Sequence, residues 1–250
     1  MAAGAGEEGS ELSAKYETPL GLAHGTMAAL KERIKTHYDL ASDYYLKLWG
    51  EHIHHGYWPT DASKKTESKE QAQQNLIDLL LATSSLLAPR GLRVLDVGCG
   101  LGGTSRHLAS LGAAVTGITI SARQVEMAAR LTRDGGGGGS EDAEGYIPFG
   151  AGKVRFLELD AEKMGEREGW AEAFDVVWIS EALSHVPGKE NFFRNAHEVL
   201  GRGGKLVIAD WFRAEGVEGD SDIKAIEGMS LPHLPMLEQG LWGVNLEDLV

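Results

Sequence analysis

Residues 94–105 read VLDVGCGLGGTS, and this stretch decides the fold. An apolar run, interrupted only by Asp96, passes directly into a turn with glycine at positions 98, 100, 102 and 103. A glycine turn of this kind bends tightly and approaches a ligand closely, because glycine has no Cβ atom. The stretch therefore predicts a buried strand, a ligand-binding turn and the first residues of a helix.

Short apolar runs alternate with helical patterns from Leu92 onward, which is typical of a parallel sheet covered by helices. The runs predict five strands, near residues 92–97, 114–119, 154–159, 175–179 and 205–209. We predict an α/β fold, a Rossmann-like, doubly wound and mostly parallel sheet formed by residues 91–250. Residues 134–153 contain five consecutive glycines, and we expect them to be a flexible surface insertion.

Two helical patterns precede this core. Apolar residues recur at helical spacing from Met27 to Trp49 and again from Ser68 to Leu87, where a proline and a glycine follow. We expect residues 27–90 to form an N-terminal helical lid. We expect residues 1–26 to be a flexible tail, because their start is rich in small and acidic residues and lacks the apolar region of a signal peptide.

The composition limits the partners and the compartment. The 250 residues include 24 Lys and Arg against 37 Asp and Glu, a net charge of −13, which repels nucleic acid and anionic membranes. Cys99 is the only cysteine, so an internal disulfide and a cysteine-based zinc cluster are excluded. We therefore expect a cytoplasmic protein with no nucleic-acid partner. We also expect no transmembrane segment, because no run approaches the roughly 20 apolar residues that span a bilayer.

The glycine pattern also fits a dinucleotide-binding fingerprint. Such a site requires an acid about 20 residues further on, at the end of the second strand, to hold the ribose hydroxyls. That strand ends here in GITIS, residues 117–121, and no acid occurs before Glu126. Nicotinamide-dependent redox chemistry is therefore an alternative that Thr119 disfavours.

Two carboxylates suit a different cofactor: Asp96 precedes the glycines, and Asp160 follows the third predicted strand. With them the sequence resembles the class I S-adenosylmethionine methyltransferases, whose Asp-x-Gly-x-Gly-x-Gly turn corresponds to residues 96–102. The resemblance implies that Asp160 accepts a hydrogen bond from the adenine amino group, with the backbone of Ala161 beside it. It implies that S-adenosyl-L-methionine is held at its methionine part by Asp96, Gly98, Gly100 and Gly102.

Four further segments carry a closer resemblance. They are Tyr38-Asp39 with Tyr44-Tyr45, WGEHIHHGYW at 49–58, GITIS at 117–121 with Gln124, and SEALSHVP at 180–187. Through them the chain resembles the gamma-tocopherol methyltransferases with related small-molecule and sterol-type enzymes, and more distantly the cyclopropane fatty acid synthases.

This branch replaces the usual acid after the second strand by hydroxyl residues. The resemblance therefore implies a place beside the adenosine for Thr119, Ser121 and Gln124. It also implies that the lid brings Tyr38 and His55 to the methionine end and the acceptor, with Ser180 facing them.

Three histidines in the lid loop, His52, His54 and His55, invite a metal interpretation. No cysteine or suitably spaced carboxylate completes such a site, and catalytic zinc generally takes three protein ligands. We expect no metal, and we interpret the histidines as the rim of a polar pocket.

Methyl transfer to a hydroxyl, an amine or an activated ring carbon is helped by a base. His185 follows the fourth predicted strand, at the carboxyl edge where open α/β sheets bind ligands, and histidine titrates near neutral pH. We predict His185 as this base, oriented by Glu181 if the segment between them is helical. Trp211 and residues 230–236 are expected to line the side of the acceptor, a small or lipid-like molecule.

The predicted class normally ends in two antiparallel strands after its fifth helix, whereas the sequence predicts only five strands in total. We therefore expect the final hairpin to be absent, either through truncation or with a partner covering the sheet edge. This expectation supports a second hypothesis, a non-catalytic cofactor-binding or interaction protein derived from a methyltransferase.

Overall fold

The computed structural model describes residues 27–211 and 241–244. Its strands are β1 (Arg93–Val97), β2 (Ala114–Thr119), β3 (Ile147–Phe149), β4 (Gly152–Glu158), β5 (Phe174–Ser180), β6 (Leu200–Ala209) and β7 (Leu241–Val244). Its helices are α1 (Met27–Trp49), α2 (Ser63–Thr66), α3 (Lys69–Thr83), α4 (Gly103–Ser110), α5 (Ala122–Asp134) and α6 (Lys189–Val199). Short 3-10 turns follow β4 and β5, at Ala161–Glu166 and Leu183–His185.

All seven strands form one sheet in the order β3-β4-β2-β1-β5-β6-β7. The five central strands are parallel, while β3 pairs antiparallel with β4 and β7 pairs antiparallel with β6. The carboxyl ends of β1, β2, β4 and β5 therefore meet at one edge. Ligands of open α/β sheets bind outside such an edge.

The sheet is buried on both faces, as the predicted fold requires. Alternate residues of a strand point to opposite faces. Val94 accordingly packs into an apolar cluster with α3 and α4, whereas Leu95 packs into a second cluster with Phe192 of α6. This burial fixes the direction of β1, and with it the position of the glycine turn that follows.

Helix α1 has the predicted bounds, but α3 ends at Thr83, four residues before the predicted end. Ser68 caps its start by accepting a hydrogen bond from the Gln71 backbone. At the other end Ser85 adopts a left-handed φ of 57°, which cannot continue a helix. Within the described part of the chain, no helix combines the length and the apolarity needed to cross a membrane.

The prediction of a flexible insertion at residues 134–153 is wrong for its second half. Tyr146 and Ile147 are buried, Ile147–Phe149 forms the edge strand β3, and β4 begins at Gly152. Nζ of Lys153, on β4, lies over the Tyr146 ring, 4.3 Å from its centroid, so a cation–π contact joins the segment to β4. A three-residue strand that contains a proline has too little pattern to be found from sequence.

The opposite edge also differs from the prediction, because β7 pairs with residues 206–209 of β6. One antiparallel strand thus covers the edge that was expected to be bare. The predicted tail, residues 1–26, and the predicted acceptor segment, residues 230–236, lie outside the described residues.

Candidate functional site

A cavity opens where the carboxyl ends of the central strands face helix α1. Its walls are the glycine turn, the residues that end or follow β2, β4 and β5, and the inner side of α1. The sequence-predicted residues that line it are Tyr38, Gly98, Gly100, Thr119, Gln124, Asp160, Ala161, Ser180, Glu181 and His185. The fold therefore brings most of the predicted site residues to one place.

The glycine turn forms the floor of this cavity. Gly98 has a φ of 72°, and a Cβ atom there would lie 2.4 Å from the Cβ of Ala182. Gly102 has a φ of 79°, but its missing Cβ makes room for the Phe156 ring instead of a ligand. Gly98 and Gly100 line the cavity, whereas the described contacts of Gly102 give it a packing role.

Asp96 lies on β1 beside the turn and is almost fully buried. Burial raises the pKa of its carboxyl to about 6, although a hydrogen bond from the Ser105 hydroxyl at 2.5 Å opposes this shift. Asp96 lines a smaller compartment that adjoins the main cavity and is closed on its other side by the lid loop at His52 and His54. A buried acid at this point can accept hydrogen bonds from a polar group that enters the compartment.

The three residues that were predicted to lie beside the adenosine are joined by hydrogen bonds after β2. The Thr119 hydroxyl donates to Oε1 of Gln124 at 2.6 Å, and both residues line the cavity. Ser121 is fully buried and is not among the lining residues. Its hydroxyl instead accepts from the backbone of Gln124, capping α5, and donates to Asp39 of α1 at 2.5 Å. The prediction that Ser121 lies beside the adenosine is therefore not supported, because the helix cap and the lid contact occupy it.

Asp160 stands at the cavity wall after β4 with both carboxylate oxygens in use. Oδ1 accepts the backbone N–H of Glu162 at 2.9 Å, and Oδ2 accepts from Nζ of Lys31 at 2.8 Å. Lys31, on α1, also lines the cavity and was not predicted. In the sequence, Lys31 belongs to the polar face of the predicted helix, whereas the prediction of that helix rests on its apolar residues.

His185 lines the cavity at the end of the turn after β5. Its ring lies edge-on to the Tyr38 ring, with centroids 5.9 Å apart. Desolvation by the surrounding walls lowers the pKa of His185, and the nearby Asp210 carboxylate opposes that shift. The imidazole is therefore neutral at pH 7 and can accept a proton. Burial raises the pKa of Tyr38 to about 12, so that its hydroxyl keeps its proton.

Asp210 is a second residue near the site, after Lys31, that sequence analysis missed. It is buried at the end of β6 and accepts backbone hydrogen bonds from Ser184 at 3.1 Å and from Trp211 at 2.8 Å. Its only signal in the sequence is that it directly follows the fifth predicted strand, at the same edge as the other site residues.

The predicted pairing of Glu181 with His185 is wrong. Glu181 has a left-handed φ of 52° and precedes the 3-10 turn, so no helical spacing relates the two side chains. The Glu181 carboxylate instead accepts the backbone N–H of His55 at 3.0 Å and lies 2.7 Å from its Nδ1. This hydrogen bond raises the pKa of His55, although burial opposes it. His55 is not among the residues that line the cavity, and its ring lies edge-on to those of Trp49 and Trp211.

The other two lid-loop histidines are buried. Burial lowers the pKa of His52 to about 3, so its ring is neutral. The side chain of Gln73 donates to the carbonyl oxygens of both His52 and His54, at 2.8 and 2.9 Å, which fixes the loop on α3. Among residues 27–211 and 241–244, no group of three or more histidine, cysteine or acidic side chains is arranged to hold a metal ion.

Comparison with known proteins gives matches to two families and to several individual proteins. A family described as "Methyltransferase domain" matches residues 95–208, and one described as "Mycolic acid cyclopropane synthetase" matches residues 26–143. The chain is 33% identical to 27-O-demethylrifamycin SV methyltransferase of Amycolatopsis mediterranei, over 85% of this chain and 74% of that protein. It is 32% identical to the chloroplastic tocopherol O-methyltransferase of Arabidopsis thaliana, over 73% of this chain and 50% of that protein.

The chain thus spans about half the length of the tocopherol relative. Among solved structures, that of the [4+2]-cyclase SpnF matches with a TM-score of 0.61 and 30% identity, covering 76% of this chain and 63% of that one. The glycine turn lies within the matched methyltransferase domain, and the lid helix within the matched synthetase region. The chain therefore belongs to the family of S-adenosylmethionine-dependent methyltransferases.

Proposed function

We propose that this protein transfers a methyl group from S-adenosylmethionine to a small-molecule or lipid-like acceptor, at oxygen, nitrogen or carbon. The observation that carries the proposal is the convergence of Gly98, Asp160 and His185 on one cavity beneath the lid helix. The names of the two relatives, which refer to oxygen atoms of a tocopherol and of a rifamycin, favour a hydroxyl acceptor.

The residues at the cavity fit the cofactor. Gly98 and Gly100 line the floor of the cavity, where a glycine backbone carries no side chain that would keep a ligand away. The compartment at Asp96 would hold the methionine part, and Asp160 with the backbone of Ala161 would hold the adenine. S-adenosylmethionine supplies a methyl group that its sulfonium charge has already activated.

The protein then needs mainly to bind, align and exclude water. Helix α1 and the lid loop close the cavity on the side away from the sheet, and a drier site strengthens the electrostatic contacts inside. His185 would take the proton of the acceptor, because its lowered pKa leaves a free lone pair at pH 7. The buried carboxylate of Asp210 would stabilise the imidazolium that results.

Calorimetric titration with S-adenosylmethionine separates these roles. We expect the wild type and His185→Ala to bind with similar affinity, and Asp96→Ala to lose binding. Release of S-adenosylhomocysteine is then measured with a panel of phenols, amines and sterols, on which His185→Ala should slow turnover by roughly 10²–10⁴-fold. Unchanged binding by Asp96→Ala would refute the assignment of the methionine side.

A second candidate is a protein that uses the fold without transferring a methyl group. The observation in its favour is the 30% identity to a [4+2]-cyclase. The two candidates differ in one readout, since a methyltransferase releases S-adenosylhomocysteine in proportion to methylated acceptor. Cofactor binding without any such release across the panel would favour the second candidate.

We further propose a cytoplasmic protein with no nucleic-acid partner. The net charge of −13 and the single, buried Cys99 support this proposal. Fluorescence microscopy of the tagged full chain tests the compartment, and gel-shift titration with duplex DNA and RNA at low salt tests the partner.

A further inference from the structure

A polar stripe runs along the inner face of helix α1. It consists of the charged residues at positions 31, 35, 39 and 43, and each of these side chains contacts a polar side chain outside the helix. The two lysines meet acids that follow or end β4, and the two aspartates meet the start of α5. Residues four apart lie on one helix face, so the stripe seats α1 in a single register.

Lys31 differs from the rest of the stripe in its position. It lines the main cavity and also an outer cavity that continues from it past Asp160, Glu162 and Lys163. Lys35, one turn further on, lines neither of these cavities and pairs with the half-exposed Glu158 at 2.6 Å. The ammonium of Lys31 thus stands where the two cavities meet.

Lys31 joins two carboxylates of the cavity wall. Its Nζ lies 2.8 Å from Oδ2 of Asp160 and 3.1 Å from Oε1 of Glu162. Glu162 Oε1 also accepts the backbone N–H of Gly188 at 3.0 Å, so the bridge reaches the start of α6. Burial opposes the charge of Lys31, but the hydrogen bonds to both carboxylates outweigh it and raise the pKa of Lys31.

Two carboxylates that share a site repel each other unless a cation lies between them. Removal of the ammonium would let Asp160 leave its present rotamer, since only the backbone N–H of Glu162 would still hold it. A carboxylate has about four lone-pair sites, and Asp160 uses two of them for these contacts. It therefore keeps the capacity to accept another donor from the cavity.

We propose that Lys31 is a positioning residue for the cofactor, which holds Asp160 in the orientation that accepts the adenine amino group. The proposal rests on the proposed function, because it assumes that the cavity takes an adenine nucleoside. It gives the lid helix a part in recognising the base, through Asp160, in addition to closing the cavity.

Two nucleosides that differ only at the adenine amino group provide the test. S-adenosylhomocysteine carries that donor, and S-inosylhomocysteine carries a carbonyl oxygen in its place. Titration calorimetry of the full chain gives both dissociation constants for the wild type and for Lys31→Met. We expect the wild type to prefer the adenosyl compound by at least about tenfold, as one charged hydrogen bond implies. In Lys31→Met we expect this preference to fall at least about threefold.

Lys35→Met is the matched control, because it removes the neighbouring ion pair of the same helix and leaves both contacts of Asp160 in place. Lys35 contacts the cavity wall through a backbone atom, the carbonyl oxygen of Ile120 at 3.1 Å. Lys35→Met should keep the wild-type preference, and Lys31→Arg should restore most of it. Lys31→Gln serves as a second variant if Lys31→Met does not fold, as judged by circular dichroism.

An unchanged preference in folded Lys31→Met or Lys31→Gln would overturn the inference alone, as would equal weakening of both compounds. A folded wild type that binds neither compound would overturn the proposed function together with this inference.

Discussion

The Glu181 carboxylate holds His55 at two points, the backbone N–H at 3.0 Å and Nδ1 at 2.7 Å. Glu181 directly follows β5, and His55 belongs to the lid loop, so one side chain joins the lid to the sheet. The left-handed φ of Glu181 costs on the order of 1–3 kcal/mol. Its own N–H donates to the Ala209 carbonyl at 2.6 Å, and this contact helps to hold the unusual conformation.

The first prediction concerns the pH dependence of this contact. The pKa of His55 is raised in the folded protein, so its stabilising effect is fully present below the unfolded pKa of about 6.5 and is lost as the pH rises through the folded pKa. Glu181→Gln removes the charge and keeps the shape. We expect it to lower the melting temperature by roughly 1–4 °C at pH 5.5, because a half-exposed pair is worth at most about 1 kcal/mol. At pH 9 the difference should be smaller, and thermal melts at both values check this; a larger loss at pH 9 contradicts the assignment.

The second prediction uses the opposite situation at Asp96, whose pKa is raised to about 6 by burial. Its contribution to stability falls as the pH rises from about 4 through 6, because the folded state then loses a proton that it holds more tightly than the unfolded chain. At pH 7.5 the buried charge costs on the order of 2–3 kcal/mol. We expect Asp96→Asn to be at least as stable as the wild type at pH 7.5 and to lose that advantage near pH 4.

Urea unfolding at the two pH values measures this difference. The same variant should bind S-adenosylhomocysteine at least about tenfold more weakly, since a charged acceptor is lost. A stable variant with weak binding would show that Asp96 serves ligand binding and lowers the free energy of unfolding. Wild-type affinity in Asp96→Asn would contradict this interpretation.

Much of the fold could be predicted because its signals are local. Three signals depend on neighbouring residues only: the apolar run before Gly98, the glycines themselves, and the helical spacing of the apolar residues in α1. The structure has the corresponding elements where the sequence places them. Strands β3 and β7 were missed, since strands of three and four residues at a sheet edge carry little hydrophobic pattern.

The site was predictable to the same extent. Asp160 and His185 follow parallel strands, so topology alone brings them to one edge. The partners of Asp160 and Glu181 were not predictable, because Lys31 and His55 reach them from the lid, more than a hundred residues away in the chain. The error at Glu181 has the same origin: an assumed helix gave it a near neighbour in sequence, whereas the structure gives it a distant one.

The third prediction isolates the close packing of the glycine turn. Gly98→Ala combines a left-handed φ with a Cβ atom 2.4 Å from that of Ala182, whereas Gly91→Ala has a similar φ of 79° and open space around it. The conformation alone costs roughly 1–2 kcal/mol at either position. We expect Gly98→Ala to cost at least about 1–3 kcal/mol more than Gly91→Ala in urea unfolding, which is typical of overpacking. Equal costs would mean that the turn has room to relax.

The fourth prediction tests whether charges hold the lid helix in place. Lys35 pairs with Glu158 at 2.6 Å and lies 3.6 Å from Asp39, so Lys35→Glu places a third acid among them. We expect the amide protons of α1 to exchange about fivefold faster at low salt, the effect of roughly 1 kcal/mol at a partly exposed pair. Hydrogen exchange read by mass spectrometry over residues 27–49 measures this.

The double variant Lys35→Glu with Glu158→Lys restores an ion pair of reversed sign, and we expect it to recover most of the protection. In 0.5 M NaCl the Debye length falls to a few ångströms, so the single variant should then differ little from the wild type. Faster exchange that persists in high salt and in the double variant would attribute the effect to lost packing of the lysine stem rather than to charge. In that case side-chain packing along the polar stripe, and not charge, would hold α1 against the rest of the protein, and high salt would not loosen it.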